Sequence, residues 1–517
     1  MAAKTTLIAI FLVVALATLA AVTALAAPPL PQSKPTTRDV CPGLCDYTSI
    51  QAAVADASDG DVIRVAGAMG SIYAERLTVT KTVQILGGYS GPPLWQRSIA
   101  AYPTTIDGQN MGPVVSFGAG STATLEGVII SGGNALVDGG GVLIDAASPL
   151  ISATTIVGNN AASSGGGIAI YGGAPRLLHS NVLSNTAQGG GGVLIADGSS
   201  AEIRHTTIAG NTAFLLGGGL LVVNSSSPII DSCLIRGNRA SSGGGGVHAI
   251  DTLGLLANSQ IVENSVDTGY GGGISLSFSP MTLQSSVIMS NTASLDGGGV
   301  MADSSAATVD GLIIQGNSAQ RGGGLYLLRS LGLITNSDIV GNIAQSGSGG
   351  GVYLDRSAPT VDANSLLYNS AANNGGGMEV TGQYCPTEVC DDPRSAVIVN
   401  TIFAHNTAVN KGGGAHLDTG SGPNLINNTI VYNQGAGVFI DAYAQAGVTN
   451  TIVVSNTVGL QAFIPSAPSA SYNIVWANTP GGDYDGLAPD PHDLSADPRF
   501  VAPAANDYHL RADSPAI

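Results

Sequence analysis

The chain has 517 residues, a net charge of -17 and only 18 lysines and arginines, and it carries no basic stripe, so nucleic acid is not an expected partner. Its 72 glycines exceed the usual share but do not recur at every third residue, which excludes collagen. Hydrophobic residues make up 44% of the chain, many of them β-branched, which excludes a disordered protein.

The first residues have the features of a secretory signal peptide, predicted over residues 1–26. Lys4 precedes an apolar run over residues 7–21, and small residues follow at the cleavage spacing. An uncleaved membrane anchor is the alternative interpretation of this run. Residues 27–38 are predicted to be a linker, and no second apolar span follows. We therefore expect an extracellular protein, secreted or attached to the cell surface, with no other membrane contact unless a C-terminal anchor is missing.

Four of the five cysteines form two close pairs. Cys41 and Cys45 are four residues apart, and Cys385 and Cys390 are five apart. In an oxidising compartment each pair could close a local disulfide. A zinc site would need all four thiolates at one point, although some ten repeats separate the two pairs. The spacing therefore favours the disulfides Cys41–Cys45 and Cys385–Cys390 over zinc.

Residues 39–134 are predicted to form an N-terminal cap and irregular first coils. Over residues 47–57 the apolar side chains share one helical face, and Ser49 is a plausible N-cap. A short helix here would cover the open strand edges that a terminal repeat exposes. The β-rich runs 62–65 and 77–86 are predicted to be the first, irregular coils.

A glycine-rich phrase that ends in an apolar residue recurs twelve times. The steps between its last glycines are 25 to 27 residues, with one step of 37 and one of 23. A fixed period of this length predicts a solenoid, with regular coils over residues 135–460 and C-terminal coils with a closing segment over 461–517. The last glycines are Gly141, Gly167, Gly192, Gly219, Gly246, Gly273, Gly299, Gly324, Gly351, Gly377, Gly414 and Gly437.

An asparagine keeps step with these glycines, with an apolar residue three positions before it. The two series stay in step through the 37-residue interval, so residues 384–394 are predicted to be an insertion looped out of an unbroken coil. Stacked coils would place each amide about 4.8 Å from the next, within reach of its neighbours, as a structural ladder. The ladder is predicted to contain Asn159, Asn185, Asn211, Asn238, Asn264, Asn291, Asn317, Asn342, Asn369, Asn406 and Asn433.

The strand pattern predicts an all-β fold, a single-stranded right-handed parallel β-helix of about 25–27 residues per coil. After the first glycine triplet, Val142 and Ile144 alternate with Leu143 and Asp145, and the repeats lack the helical period. One coil is predicted to be three short strands joined by turns. A leucine-rich repeat would need leucines before the asparagine, and a calcium-binding β-roll needs a nine-residue period; the sequence has neither.

One cysteine falls inside the regular coils. Cys233 lies five residues before Asn238, where other coils hold serine or threonine. We predict that it is one rung of a stack of small side chains and not a reactive thiol.

These repeats resemble those of the right-handed parallel β-helix proteins of the pectate-lyase-like superfamily. The alternation of G-G-G-[VIL] with [IVLF]-x-x-N is similar to the G-G-A-[ILV] and F-x-x-N repeats of polymorphic outer-membrane proteins. The opening stretch 45–54 and the closing stretch 497–517 are similar to the ends of bacterial surface β-helix proteins. The resemblance implies the fold and a location at the cell surface, and it is weak for activity.

The residues that vary between coils are the candidates for chemistry. Catalytic β-helices of this superfamily work along an outer strand face, and outward positions after the glycines hold Glu379, His416, Asp418 and Asp441 on neighbouring coils. Glu379, His416 and Asp418 are the candidate catalytic residues, because such groups suit acid–base work on a glycoside. Asp418 and Asp441 are candidate calcium ligands, and no other cofactor is expected.

Two functions remain open. We expect a binding, adhesive or structural surface module that is monomeric and whose partner is a polysaccharide or another cell-surface ligand. The alternative is a polysaccharide lyase or glycoside hydrolase. The motifs of pectin lyases, pectin esterases and polygalacturonases are missing, and only Arg329 approaches the place of a base for elimination. The sequence therefore favours the non-enzymatic function.

Overall fold

The computed structural model describes residues 35–68, 70–382, 395–466 and 468–517, which form a right-handed parallel β-solenoid of about 17 turns. The predicted all-β fold class is confirmed. The predicted signal peptide, most of the linker, the insertion 384–394 and the pair Cys385–Cys390 lie outside the described residues.

From residue 134 to residue 417, each coil contributes one strand to each of four parallel sheets, which we number 1 to 4 in chain order. One such coil consists of Thr360–Asp362, Ser365–Leu367, Ser370–Ala371 and Met378–Thr381. The prediction of three strands per coil missed sheet 3, because most of its strands have two residues and cannot show an alternating pattern.

The strands of each sheet follow one another along the solenoid. Sheet 1 contains Thr37–Val40, Val62–Ala66, Gln84–Tyr89, Thr124–Glu126, Leu150–Ser152, Arg176–Leu178, Glu202–Arg204, Ile229–Asp231, Leu255–Ala257, Thr282–Gln284, Thr308–Asp310, Leu333–Thr335, Thr360–Asp362, Val397–Val399, Asn424–Ile426, Gly447–Thr449 and Ser469–Ser471. Sheet 2 contains Ile72–Ala74, Thr104–Asp107, Val128–Ser131, Thr155–Val157, Asn181–Leu183, Thr207–Ala209, Leu234–Arg236, Gln260–Val262, Val287–Met289, Ile313–Gln315, Asp338–Val340, Ser365–Leu367, Ile402–Ala404, Thr429–Val431, Ile452–Val454 and Ile474–Trp476. Sheet 3 contains Asn134–Ala135, Asn160–Ala161, Thr186–Gly189, Thr212–Leu216, Arg239–Ala240, Ser265–Val266, Thr292–Ala293, Ser318–Ala319, Ile343–Ala344, Ser370–Ala371 and Thr407–Ala408. Sheet 4 contains Leu77–Val79, Val115–Phe117, Val142–Asp145, Ile168–Tyr171, Val193–Ala196, Leu220–Val222, Val247–Ile250, Ile274–Ser277, Val300–Asp303, Leu325–Leu328, Val352–Asp355, Met378–Thr381, Ala415–Leu417, Ala436–Ile440, Val458–Ala462 and Tyr484–Asp485.

The core lies inside the coils and is built from alternate side chains of the strands. Val352 and Leu354 of sheet 4 point inward and are fully buried, as are Val361 of sheet 1 and Leu366 of sheet 2. Burial of each such side chain contributes about 1.5–3 kcal/mol. The parallel register repeats this layer at every coil, so the core is one continuous apolar column.

The asparagine series forms a buried ladder between sheets 2 and 3. The backbone N–H of Asn369 donates to Oδ1 of Asn406 at 2.9 Å, and its side-chain amide donates to the same oxygen at 3.0 Å and to the carbonyl of Ile339 at 2.8 Å. The same pattern joins all eleven predicted members and continues to Asn456 and Asn478. These bonds satisfy backbone groups that the corner would otherwise leave unpaired.

The glycines before sheet 4 serve two different purposes. The first glycine of a triplet has a positive φ, as at Gly412 with 65°, where the backbone folds onto the next strand and a Cβ would lie 2.8 Å from Cα of His416. The last glycine allows two coils to approach, since a Cβ on Gly351 would lie 2.6 Å from the carbonyl oxygen of Gly377. Both purposes require the absence of a side chain.

Within the described residues the one α-helix is Ile50–Asp56, which packs against the first strands through Ile50, Ala53 and Val54. Ser49 is its N-cap, and its Oγ accepts from the N–H of Ala52 at 3.1 Å. No helix among these residues is long and apolar enough to cross a membrane.

The β-rich run over residues 77–86, which was predicted to belong to the first irregular coils, forms two strands. It divides into Leu77–Val79 of sheet 4 and Gln84–Tyr89 of sheet 1, because the chain turns a corner at residues 80–83. Three of the four residues at this turn are β-branched and therefore typical of strands, so the sequence does not indicate the corner.

Two cysteine positions can be compared with the predictions. Cys41 and Cys45 are joined by a disulfide. Cys233 is buried, and its N–H donates to Oγ of Ser259 on the next coil at 3.0 Å, as expected for a rung of the small-residue stack. Burial raises the pKa of its thiol to about 11, so the thiol stays protonated at neutral pH.

The closing segment folds back along the side of the solenoid. Phe500–Ala502 and Asp507–Leu510 form an antiparallel hairpin through the 3₁₀ turn Pro503–Ala505. Phe500 and Tyr508 of this hairpin, each 7% exposed, pack on Val431, Val454 and other residues that face outward from sheet 2. The hairpin therefore covers an apolar part of the outer surface.

Candidate functional site

The candidate site lies on the outer side of sheet 4, near its C-terminal end. Glu379 of Met378–Thr381 and His416 of Ala415–Leu417 are direct neighbours in the parallel register, and His416 is followed by Phe439 on the next coil. The sequence pattern predicted this adjacency, because both residues lie two positions after a last glycine.

The side chains of Glu379 and His416 are buried, although they point away from the core. Glu379 is 2% exposed and His416 is 1% exposed. The corner that precedes each strand folds over this row, since the positive φ of Gly412 brings the backbone against the start of its own strand. The alternation of side chains along a strand predicts that Glu379 and His416 point outward, and they do. It cannot predict that the preceding corner covers them, so their burial was not expected from the sequence.

Glu379 and His416 form a buried pair. Nδ1 of His416 lies 2.9 Å from Oε1 and 3.0 Å from Oε2 of Glu379, and it donates to this carboxylate. Burial raises the pKa of the Glu379 carboxyl, against the opposing effect of His416. Burial alone would lower the pKa of His416, but the carboxylates of Glu379, Asp418 and Asp441 outweigh it and raise that pKa.

Asp418 and Asp441 lie on the other side of the imidazole. Nε2 of His416 is 3.4 Å from Oδ2 of Asp441, and ligand atoms of His416, Asp418 and Asp441 all lie within 4.8 Å of one another. Asp418 is partly buried, and its Oδ1 accepts from the N–H of Thr419 at 2.7 Å. The structure therefore brings all four predicted site residues together.

Lys411 belongs to the same cluster and was missed by the sequence analysis. Its Nζ lies 2.5 Å from Oδ2 of Asp441 and 5.1 Å from the centre of the Phe439 ring. Partial burial alone would raise the pKa of the Asp441 carboxyl, but the hydrogen bonds from Lys411 and from the N–H of Ala442, with the charges of Lys411 and His416, together lower that pKa. The one indication of this position in the sequence is that Lys411 directly precedes a glycine triplet and therefore lies at the corner before a sheet 4 strand.

A second group of charged residues precedes this cluster along the same face. Arg329 pairs with Asp303 at 2.8 Å, so the one candidate base for elimination is held by a carboxylate. The hydroxyl of Tyr326 donates to Asp355 at 2.8 Å, and Arg321 lies 5.2 Å from the centre of the Tyr326 ring.

The comparison with protein families agrees with this fold. Residues 140–319 and 323–486 match the family described as "Right handed beta helix region". Because the match covers more than half of the chain, this protein belongs to the right-handed β-helix family. The chain is similar to a solved structure of an alginate lyase of the PL6 family, AlyGC, at 10% identity and a TM-score of 0.26, over 86% of this chain and 77% of that one. No curated protein matches this chain.

Proposed function

We propose that this chain is an extracellular module that binds a neutral polysaccharide along the outer face of sheet 4 and does not cleave it. The observation that carries this function is a row of partly exposed carboxylates at one position of the repeat. Asp303, Asp355, Asp418 and Asp441 all lie four residues after a last glycine, at the same place on their coils. The predicted signal peptide supports an extracellular location.

The spacing of this row suits a linear polymer. Successive coils are about 4.8 Å apart, so Asp303, Asp355 and Asp418, which lie on every second coil, are about 10 Å apart, comparable to two sugar residues of an extended chain. Asp441 lies one coil after Asp418. The strand Leu325–Leu328 lies between the coils of Asp303 and Asp355. Carboxylates accept hydrogen bonds from sugar hydroxyls, and Arg329 and Arg356 beside the row can donate to sugar oxygens.

Charge and burial favour a neutral ligand and no turnover. A net charge of -17 and a row of carboxylates would repel an acidic polymer. Glu379 and His416, the groups best suited to acid–base work, are buried against each other and do not line an open cleft.

Binding to a panel of neutral and acidic polysaccharides would test the proposal. Asp355→Asn should weaken binding to the neutral ligand by about tenfold or more, since a hydrogen bond to a charged group contributes about 1.5–3 kcal/mol. The matched control is Asp338→Asn, the same charge change on an exposed residue of sheet 2. Equal affinities for the two variants would contradict a binding site on sheet 4, as would a preference for acidic polymers.

A polysaccharide-cleaving enzyme is the second candidate, and one arrangement favours it. Glu379 holds Nδ1 of His416, as a carboxylate orients a histidine base, and Lys411 supplies the type of base that elimination needs. Turnover by the wild type that is lost in His416→Gln, with thermal stability retained, would establish this function instead.

A further inference from the structure

We propose that His416, Asp418 and Asp441 bind a divalent transition-metal ion such as zinc, and that Glu379 orients His416 for it. Nε2 of His416 and one carboxylate oxygen of each aspartate would be the ligands. Metal binding at these residues does not depend on whether the chain binds a polysaccharide.

The environment of Nε2 of His416 favours metal binding. This atom is buried, and it has no hydrogen-bond partner among the described residues. Oδ2 of Asp441 lies 3.4 Å away, within range of an ion pair but without hydrogen-bond geometry. A buried polar atom without a partner destabilises the fold, and a bound metal ion would remove this penalty.

The distances fit a small metal ion. Zinc bonds of about 2.0–2.2 Å in a tetrahedron place neighbouring ligand atoms about 3.3 Å apart. The separation of 3.4 Å between Nε2 and Oδ2 of Asp441 is close to this value. Asp418, which is partly exposed, can close the remaining gap by rotation of its side chain. Three protein ligands would leave one position open toward solvent.

The ligand types distinguish this site from the predicted calcium site. Calcium takes six to eight oxygen ligands, whereas imidazole suits zinc, iron, nickel and copper. His416 thus converts a pair of aspartates into a mixed nitrogen and oxygen site. Glu379, which accepts from Nδ1 at 2.9 Å, fixes the ring so that Nε2 faces the two aspartates, as carboxylates do behind metal-binding histidines.

The charges also favour a cation. The carboxylates of Glu379, Asp418 and Asp441 surround His416, and Lys411 is the one lysine or arginine paired with them among the described residues. Lys411 contacts Oδ2 of Asp441 at 2.5 Å, so it competes with a metal ion for this oxygen. Removal of Lys411 should therefore strengthen metal binding.

Calorimetric titration of the full chain, freed of metal by a chelator, with zinc, manganese and calcium chloride would test the proposal. We expect one zinc ion per chain, bound more tightly than calcium. Asp441→Asn should weaken zinc binding by at least about 100-fold, because one of three ligands loses its charge. Glu379→Gln should weaken it by about 10–100-fold.

The controls separate a site from a folding defect. Asp303→Asn changes the same strand position on a coil that has Met301 in place of His416, and it should leave zinc binding unchanged. Lys411→Met should increase zinc affinity, a gain that misfolding cannot produce. With cobalt, the absorption bands of a nitrogen-ligated ion should be lost in His416→Gln. No zinc binding, tighter calcium binding, or equal effects of Asp441→Asn and Asp303→Asn would overturn the proposal.

Discussion

At the scale of single residues, the buried asparagine side chains form hydrogen bonds with main-chain groups of neighbouring coils. Each side-chain oxygen accepts the main-chain N–H of the preceding coil, so one residue type closes the same corner thirteen times among the described residues. The series begins at the N–H of Gly133, and the neighbouring Asn134 is exposed and lies outside the ladder. These hydrogen bonds explain why an asparagine recurs in every regular coil of this sequence although the side chains around it differ from coil to coil.

Asn159→Ala tests the ladder. The variant leaves the N–H of Gly133 without its acceptor and removes the amide contacts to the next coil, so we expect a loss of about 2–4 kcal/mol. Asn160→Ala, at the exposed neighbouring position, should change stability by no more than about 0.5 kcal/mol. Thermal unfolding and hydrogen exchange around residue 133 would measure both, and equal losses would contradict the assignment.

His248 provides a test of pH dependence away from the candidate site. It is 6% exposed, its Nδ1 lacks a partner among the described residues, and burial lowers its pKa to about 4. The unfolded chain therefore takes up this proton more readily than the folded chain, and stability falls as pH decreases from about 6.5 to 4. The loss would be at most about 3 kcal/mol, from 1.36 kcal/mol per unit of pKa.

His248→Leu should remove this part of the pH dependence. Denaturant unfolding at pH 7.5 and at pH 4.5 would measure it, because the imidazole is neutral in both states at the higher pH. We expect the variant to be as stable as the wild type or more stable at pH 7.5, and clearly more stable at pH 4.5. The same acid-induced loss in both proteins would show that His248 does not contribute.

At the scale of elements, the closing hairpin shows what a repeat pattern cannot predict. The period in the sequence indicates coils and their register, but the hairpin has no period, and its docking on sheet 2 depends on side chains from distant coils. One example is Tyr508, whose hydroxyl lies 3.3 Å from Nε2 of His405. The stack of Tyr368, His405 and Tyr432 that it joins lies directly before the ladder asparagines.

Tyr508→Ala should release the hairpin and leave the coils intact. The side chain is 7% exposed, and removal of a buried aromatic ring costs about 3–5 kcal/mol. Hydrogen exchange should show lost protection over residues 500–510 and unchanged protection in the central coils, since solenoid stability is local. Tyr472→Ala, at a residue that is 58% exposed, is the matched control and should leave the hairpin protected.

At the scale of the whole molecule, the sequence predicted the solenoid because one coil is repeated many times and each copy confirms the register. For the candidate site, the sequence could predict which residues lie on adjacent coils but not the environment of their side chains. Glu379 and His416 were placed correctly on adjacent coils, but their burial and the approach of Lys411 depend on how a corner folds over its own strand. This burial and the position of Lys411 depend on the backbone conformation at the glycines, which cannot be predicted from the pattern of residue types.

The central claim is that the row on sheet 4 binds a polysaccharide without cleaving it. The most direct measurement is the molar mass of the best-bound polysaccharide, followed by light scattering during long incubation with the protein while binding is recorded on the same sample. We predict a stable complex and an unchanged molar mass. A decrease in molar mass that His416→Gln abolishes would contradict the claim and identify the protein as an enzyme.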